Sequence, residues 1–158
     1  MSMDSILKEY FNSLKGKRVA VIGLGVSNKP LVEGLLDAGV AVMVCDKRRR
    51  EEFNGLVETL ERRGMSAVLG PDYLERLGGA DIIFRTPGLR PDVPQIARAV
   101  AEGARLTSEM EVFLELCPCR IIAVTGSDGK TTTTTIIAGL LKAAGYRTSV
   151  GGNIGHPL

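Results

Sequence analysis

The sequence predicts an α/β chain in which a parallel, doubly wound sheet is followed by the start of a second strand–loop–helix unit. Two observations carry this. Short β-branched apolar runs alternate with helical patterns along most of the chain, which is how strands joined by crossover helices read. Two glycine-containing turns, at Gly23-Leu24-Gly25 and at Gly126 to Gly129, each fall between an apolar run and a helical pattern.

The elements run in order. Arg18-Val19-Ala20-Val21-Ile22 is a strand, and leucines 31, 35 and 36 set a helical period after the first glycine turn. Ala41 to Cys45 is the next strand, ending at Asp46. A polar helix is expected from Glu51 to Arg63, then strands at Ala67-Val68-Leu69 and Asp81-Ile82-Ile83-Phe84. The latter closes on Arg85-Thr86-Pro87-Gly88. A helix from Gln95 to Glu102 leads to a strand near Ala104-Arg105-Leu106, and Glu109 to Leu116 reads as a connecting helix. The second unit then repeats the pattern, with a strand at Arg120 to Val124, a loop, a helix from Thr131 to Ala144 and a strand at Arg147 to Val150. The expected division is therefore 1–108 for the sheet domain and 109–158 for the opening of a further domain. A single βαβ unit cannot bury both faces of its strands, so the second unit is expected to pack on the first, to self-associate or to stay partly mobile.

Composition narrows the classes. The 158 residues are 44% apolar, enough for a real core, and 20 basic against 18 acidic side chains give a net charge of +2. That balance offers no electrostatic case for nucleic acid or an anionic membrane surface. Met1 to Tyr10 is charged and amphipathic, neither a signal peptide nor a membrane span. The three cysteines include Cys117-Pro118-Cys119, a spacing too short for a redox pair or a zinc pair, and they read as reduced thiols of a cytosolic protein. The basic run Lys47 to Arg50 is followed at once by two glutamates. It reads as a solvated helix start or as contacts to a phosphate or nucleobase at a strand end.

The second glycine turn carries the most chemistry. Val124-Thr125-Gly126-Ser127-Asp128-Gly129-Lys130-Thr131 is a phosphate-binding loop in a shortened form, with Val124 where the general pattern asks for its first glycine. Gly126 and Gly129 allow a tight turn that aims N–H groups at an anion, and the following helix adds its positive dipole end. Lys130 would reach terminal phosphates, and the Thr131 hydroxyl would ligate Mg2+. The first turn, Gly23-Leu24-Gly25-Val26-Ser27-Asn28, is similar to a dinucleotide fingerprint, with Asp46 placed where a ribose-binding acid belongs. Asn28 stands in place of the third glycine. A nicotinamide-dependent oxidoreductase and a nucleotide-binding module without chemistry both remain open on these residues.

Two such loops, the second of the form Thr-Gly-x-x-Gly-Lys-Thr-Thr and followed by Gly151-Gly152-Asn153-Ile154-Gly155, resemble the Mur ligases of peptidoglycan synthesis over the whole chain. The resemblance implies a Rossmann-like domain that holds UDP, a central P-loop ATPase domain and a third domain for the incoming amino acid. It implies ATP-dependent amide formation through an acyl phosphate, with Gly151 to Gly155 pointing to D-glutamate as the acceptor and UDP-N-acetylmuramoyl-L-alanine as its partner. By the same resemblance Val26 and Ser27 contact the diphosphate, Asp46, Lys47 and Arg48 lie beside the uracil, and Gly88 approaches it with its backbone. Lys47 departs from the small hydroxyl residue common in the family. Gly126, Ser127, Asp128, Gly129, Lys130, Thr131 and Thr132 would hold ATP with Mg2+ on Thr131, and Asp128 stands where asparagine is usual. Asn153 would lie at the muramoyl substrate near the reacting carboxylate, and His156 has no role the family requires. The remaining metal ligands and the third domain would lie past Leu158, so the chain is expected to be an N-terminal fragment without ligase activity of its own.

Overall fold

The computed structural model describes residues 3–152. It divides into two compact units, Met1–Leu116 and Cys117–Leu158. Among the described residues no helix is long and apolar enough to cross a membrane.

The first unit is built on five parallel strands, β1 (Arg18–Ile22), β2 (Ala41–Asp46), β3 (Ser66–Leu69), β4 (Ile82–Phe84) and β5 (Arg105–Thr107), in the order β3-β2-β1-β4-β5. Its helices are α1 (Met3–Ser13), α2 (Asn28–Asp37), α3 (Leu56–Glu61), α4 (Pro94–Ala101) and α5 (Glu109–Leu116). Successive side chains of a strand point to opposite faces, so Val19 and Val21 enter one core and Ala20 and Ile22 the other. The first core gathers Leu31, Val32 and Leu35 of α2, Val57 and Leu60 of α3 and Val112 of α5. The second takes Leu74, Leu77 and, from α4, Ile96 and Ala99. Both faces are covered, as an all-parallel sheet requires. α1 joins the first face through Gly34 of α2, where an added Cβ would stand 2.8 Å from Cε2 of Phe11.

The Rossmann-like parallel sheet expected from the sequence is thus present, and β1 and α5 carry the expected bounds. The helix expected over 51–63 is broken into a 3-10 turn (Arg50–Phe53) and α3. Asn54 and Gly55 between them take left-handed backbone conformations, with φ of 49° and 82°, which no helix accommodates.

In the second unit a single long helix, α6 (Lys130–Ala143), comes after the glycine loop. The strands expected at 120–124 and 147–150 do not form among the described residues. A strand exists only against a neighbour that completes its ladder, and these two segments have none among the described residues. Ile122, Ile136 and Leu140 are accordingly exposed.

Candidate functional site

The strand order fixes where a ligand can sit. β2 and β3 lie on one side of β1 and β4 and β5 on the other, so the connections leave β1 and β4 in opposite directions and open a crevice at their carboxyl ends. A cleft of about 470 Å³ occupies that place. The loops after β1, β2, β4 and β5 converge on it, and it is lined among others by Val26, Ser27, Asp46, Lys47, Arg48 and Gly88. The six residues singled out for the first loop and its surroundings are therefore brought together. Arg85, Ser108 and Glu109, for which the sequence offers no motif, line it as well.

β1 ends because Gly23 turns with φ of 86°, while its N–H still continues the ladder to the Cys45 carbonyl at 2.8 Å. The chain enters the first turn of α2 at once: the Lys29 N–H donates to the Gly25 carbonyl at 3.0 Å. The N–H groups of Gly25, Val26 and Ser27 have no acceptor among the described residues. They form the positive end of the α2 dipole and are ready for an anion. Val26 is 79% exposed, so its side chain is not what holds this turn. Asn28 holds it. It is buried, and its Nδ2 donates to the carbonyls of Ile22 at 3.1 Å and Gly23 at 2.8 Å, lashing the helix start to the strand end. A third glycine would pack helix on strand closely, and this asparagine does so by hydrogen bonds.

Asp46 closes the other side. Its Oδ2 accepts from the Leu24 N–H at 2.8 Å and Arg48 Nη2 at 2.9 Å, and its Oδ1 accepts from the Arg48 N–H at 3.0 Å and Nε at 3.1 Å. A carboxylate has about four lone-pair sites, and all are taken. Burial alone would push this carboxyl up, but the hydrogen bonds from the Arg48 side chain, then those from the Arg48 and Leu24 backbone, hold it below the usual carboxylate range. Arg48 also donates from Nη2 to the Leu24 carbonyl at 2.9 Å and lies over the Phe53 ring, 4.2 Å from its centroid. Asp46 thus ties the end of β2 to the first glycine loop.

Two glycines facing the cleft need no special backbone. Gly25 and Gly88 have no left-handed φ, and a Cβ built on either meets nothing within 4 Å. Their lack of a side chain leaves open space at the cleft wall.

In the second unit Gly126 (φ 148°) and Gly129 (φ 73°) shape the loop before α6. The N–H groups of Ser127, Asp128, Gly129 and Lys130 have no acceptor among the described residues. Lys130 Nζ arches over the loop and donates to the carbonyls of Gly126 at 2.5 Å and Ser127 at 2.8 Å. Thr131 and Thr132 lie in the first turn of α6. The described residues contain no group of three or more histidine, cysteine or acidic side chains able to hold a metal. One threonine hydroxyl beside free N–H groups fits a magnesium ion that takes most of its ligands from phosphates and water. Asn153 and His156 lie outside the described residues.

Residues 17–108 match the family model described as Mur ligase MurD-like, N-terminal domain. The chain belongs to this MurD-like family of Mur ligases. A MurD-like relative from Ruminiclostridium cellulolyticum, named UDP-N-acetylmuramoylalanine--D-glutamate ligase, is 53% identical over 156 residues, covering 99% of this chain and 34% of its own. A relative of the same name from Clostridium botulinum is 48% identical over the same shares. The MurD-like chain thus spans about a third of the length of these curated relatives. Among solved structures, the nucleotide binding domain of glutamyl-tRNA reductase from Thermoplasma volcanium is similar with a TM-score of 0.48 and 13% identity, over 73% of this chain and 91% of that one.

Proposed function

We propose that this chain supplies the sugar-nucleotide cleft and the ATP phosphate loop of a cytoplasmic ligase that joins D-glutamate to UDP-N-acetylmuramoyl-L-alanine in peptidoglycan precursor synthesis. The observation that carries the reading is the first glycine loop: three N–H groups without an acceptor among the described residues, at the start of α2, next to an Asp46 whose acceptor sites are all filled. A diphosphate finds donors there. A nicotinamide nucleotide, by contrast, loses the free acid its ribose needs, which counts against the oxidoreductase reading.

In this reading the base lies between the β2 end, with Lys47 and Arg48, and the backbone of Gly88, and the diphosphate lies on Val26 and Ser27. The loop from Gly126 to Thr132 grips the ATP phosphates through its N–H groups, and Lys130 exchanges its carbonyl partners for the terminal phosphate oxygens. Magnesium on Thr131, when bound, neutralises charge on the phosphates. The alanine carboxylate oxygen bonds to the γ-phosphorus as ADP leaves, giving an acyl phosphate. The D-glutamate amine then attacks the acyl carbon, loses a proton and expels inorganic phosphate. Asn153 is assigned to the muramoyl substrate near the reacting carboxylate. A free carboxylate is a poor electrophile, which is why activation by ATP precedes the amine.

Calorimetric titration of the chain with UDP-N-acetylmuramoyl-L-alanine, UDP and NADH tests this. Saturable binding of the two uridine ligands and none of NADH is expected. Ser27→Glu should abolish it by placing an anion where the diphosphate sits, while the fold tolerates the change because Ser27 is exposed and acids are favourable at a helix start. Binding of NADH in preference to either uridine ligand would sink the reading. Lys130→Ala should remove MgATP binding and leave the uridine ligands unaffected.

A further inference from the structure

We infer that Glu109 is a substrate-binding residue, the acceptor for hydroxyl groups on the outer sugar of the sugar nucleotide, the sugar beyond the diphosphate; this rests on the reading of the cleft given above. α5 carries three acids. Glu115 is held by Arg105 at 2.8 Å and Glu111 faces Arg85 at 3.8 Å, but the carboxyl of Glu109 has neither hydrogen bond nor ion-pair partner among the described residues. It is only partly exposed and lines the cleft beside Ser108, whose Oγ accepts the Glu111 N–H at 3.2 Å and so fixes the start of α5. Burial pushes the Glu109 carboxyl up, as it does for an acid that has lost water and gained nothing in return.

The part of the ligand that reaches it follows from the rest of the assignment. With the base between the β2 end and the Gly88 backbone and the diphosphate on the turn after β1, the sugar beyond the diphosphate is left the β5 side of the cleft, where Glu109 follows β5. A carboxylate repels phosphate, so the phosphates themselves are excluded as its partner. Sugar hydroxyls suit it, because each donates an O–H and charge-assisted bonds of this kind are about twice as strong as neutral ones. Asp46, the acid that the sequence offers for a sugar hydroxyl, has no acceptor site left, and Glu109 is the acid in the same cleft with its acceptors free.

The test compares UDP with UDP-N-acetylmuramoyl-L-alanine by calorimetry on the wild-type chain, Glu109→Ala and Glu109→Gln. The expected result is a loss of roughly 10- to 100-fold for the sugar-bearing ligand in Glu109→Ala, no loss for UDP, and a smaller loss in Glu109→Gln, whose amide oxygen still accepts. Equal losses for both ligands, which a merely structural role would give, or unchanged affinity for both would overturn the inference while leaving the cleft assignment intact. A wild-type chain that binds neither ligand would overturn the cleft assignment and this inference with it.

Discussion

Replacing Asp46 by asparagine keeps the shape of the side chain and removes its charge, so it isolates the clamp on the first glycine loop. One of the two oxygens becomes an NH2. Whichever way the amide turns, two of the four donors now facing Asp46 lose their acceptor: either the backbone N–H and Nε of Arg48, or the Leu24 N–H and Arg48 Nη2. Hydrogen bonds to a charged group contribute about 1.5–3 kcal/mol each. Against that loss of two stands the relief of not burying a carboxylate, and the Arg48 side chain, 37% exposed, recovers water on its outer edge. The net destabilisation expected is about 2–3 kcal/mol, or roughly 4–12 °C in Tm at about 2–4 °C per kcal/mol. The sign with pH comes from the lowered carboxyl. A group whose folded pKa is depressed adds stability that is present above its unfolded pKa, about 4, and is lost as pH falls through the folded value. Urea unfolding followed by circular dichroism should therefore show the full difference between wild type and Asp46→Asn at pH 7 and a shrinking one below about pH 4. An asparagine variant within about 0.5 kcal/mol of wild type at pH 7 would refute the clamp. So would a difference that does not change on acidification.

Other substitutions separate fold from ligand. Gly25→Ala and Gly88→Ala should leave Tm within a degree or two, since their Cβ atoms enter open space, and should weaken uridine-ligand binding at least severalfold by calorimetry. Gly23→Ala should cost about 1–2 kcal/mol in urea unfolding from its φ of 86° alone, because the Thr86 contact at 3.5 Å is an ordinary one. Asn28→Ala strips the partner from two carbonyls, the Ile22 bond being buried, and is expected to cost about 1–3 kcal/mol by the same assay.

The sheet was legible because its strands are short β-branched runs whose neighbours lie in the same unit. The helix break at Asn54-Gly55 has a local signal too, since that dipeptide favours left-handed backbone, but the surrounding polar pattern masked it. The expected strands at 120–124 and 147–150 had the right residues. What they lacked was a partner, and pairing is not a property of a segment. In the site, the placement of Asp46 beside the first loop could be read from spacing. Its saturation could not, because the Leu24 N–H comes from far upstream and only the pairing of β1 with β2 brings it to the carboxylate that the neighbouring Arg48 also bonds. Glu109 gave no sign at all, as it sits in a segment that reads as a connecting helix and becomes part of the cleft only through the position of β5.

The turn after β1 offers an anion backbone N–H groups in place of mobile cations. Arg48 is neutralised by Asp46, and of the cleft's basic side chains Lys47 is the one with no ion-pair partner among the described residues. Attraction by fixed dipoles fades within a turn of the helix and is itself screened by salt, so an anion gains from it only when seated on the N–H groups. Diphosphate affinity at this cleft should therefore fall as ionic strength rises, and the part that survives high salt measures the fit of the donors to the phosphate oxygens.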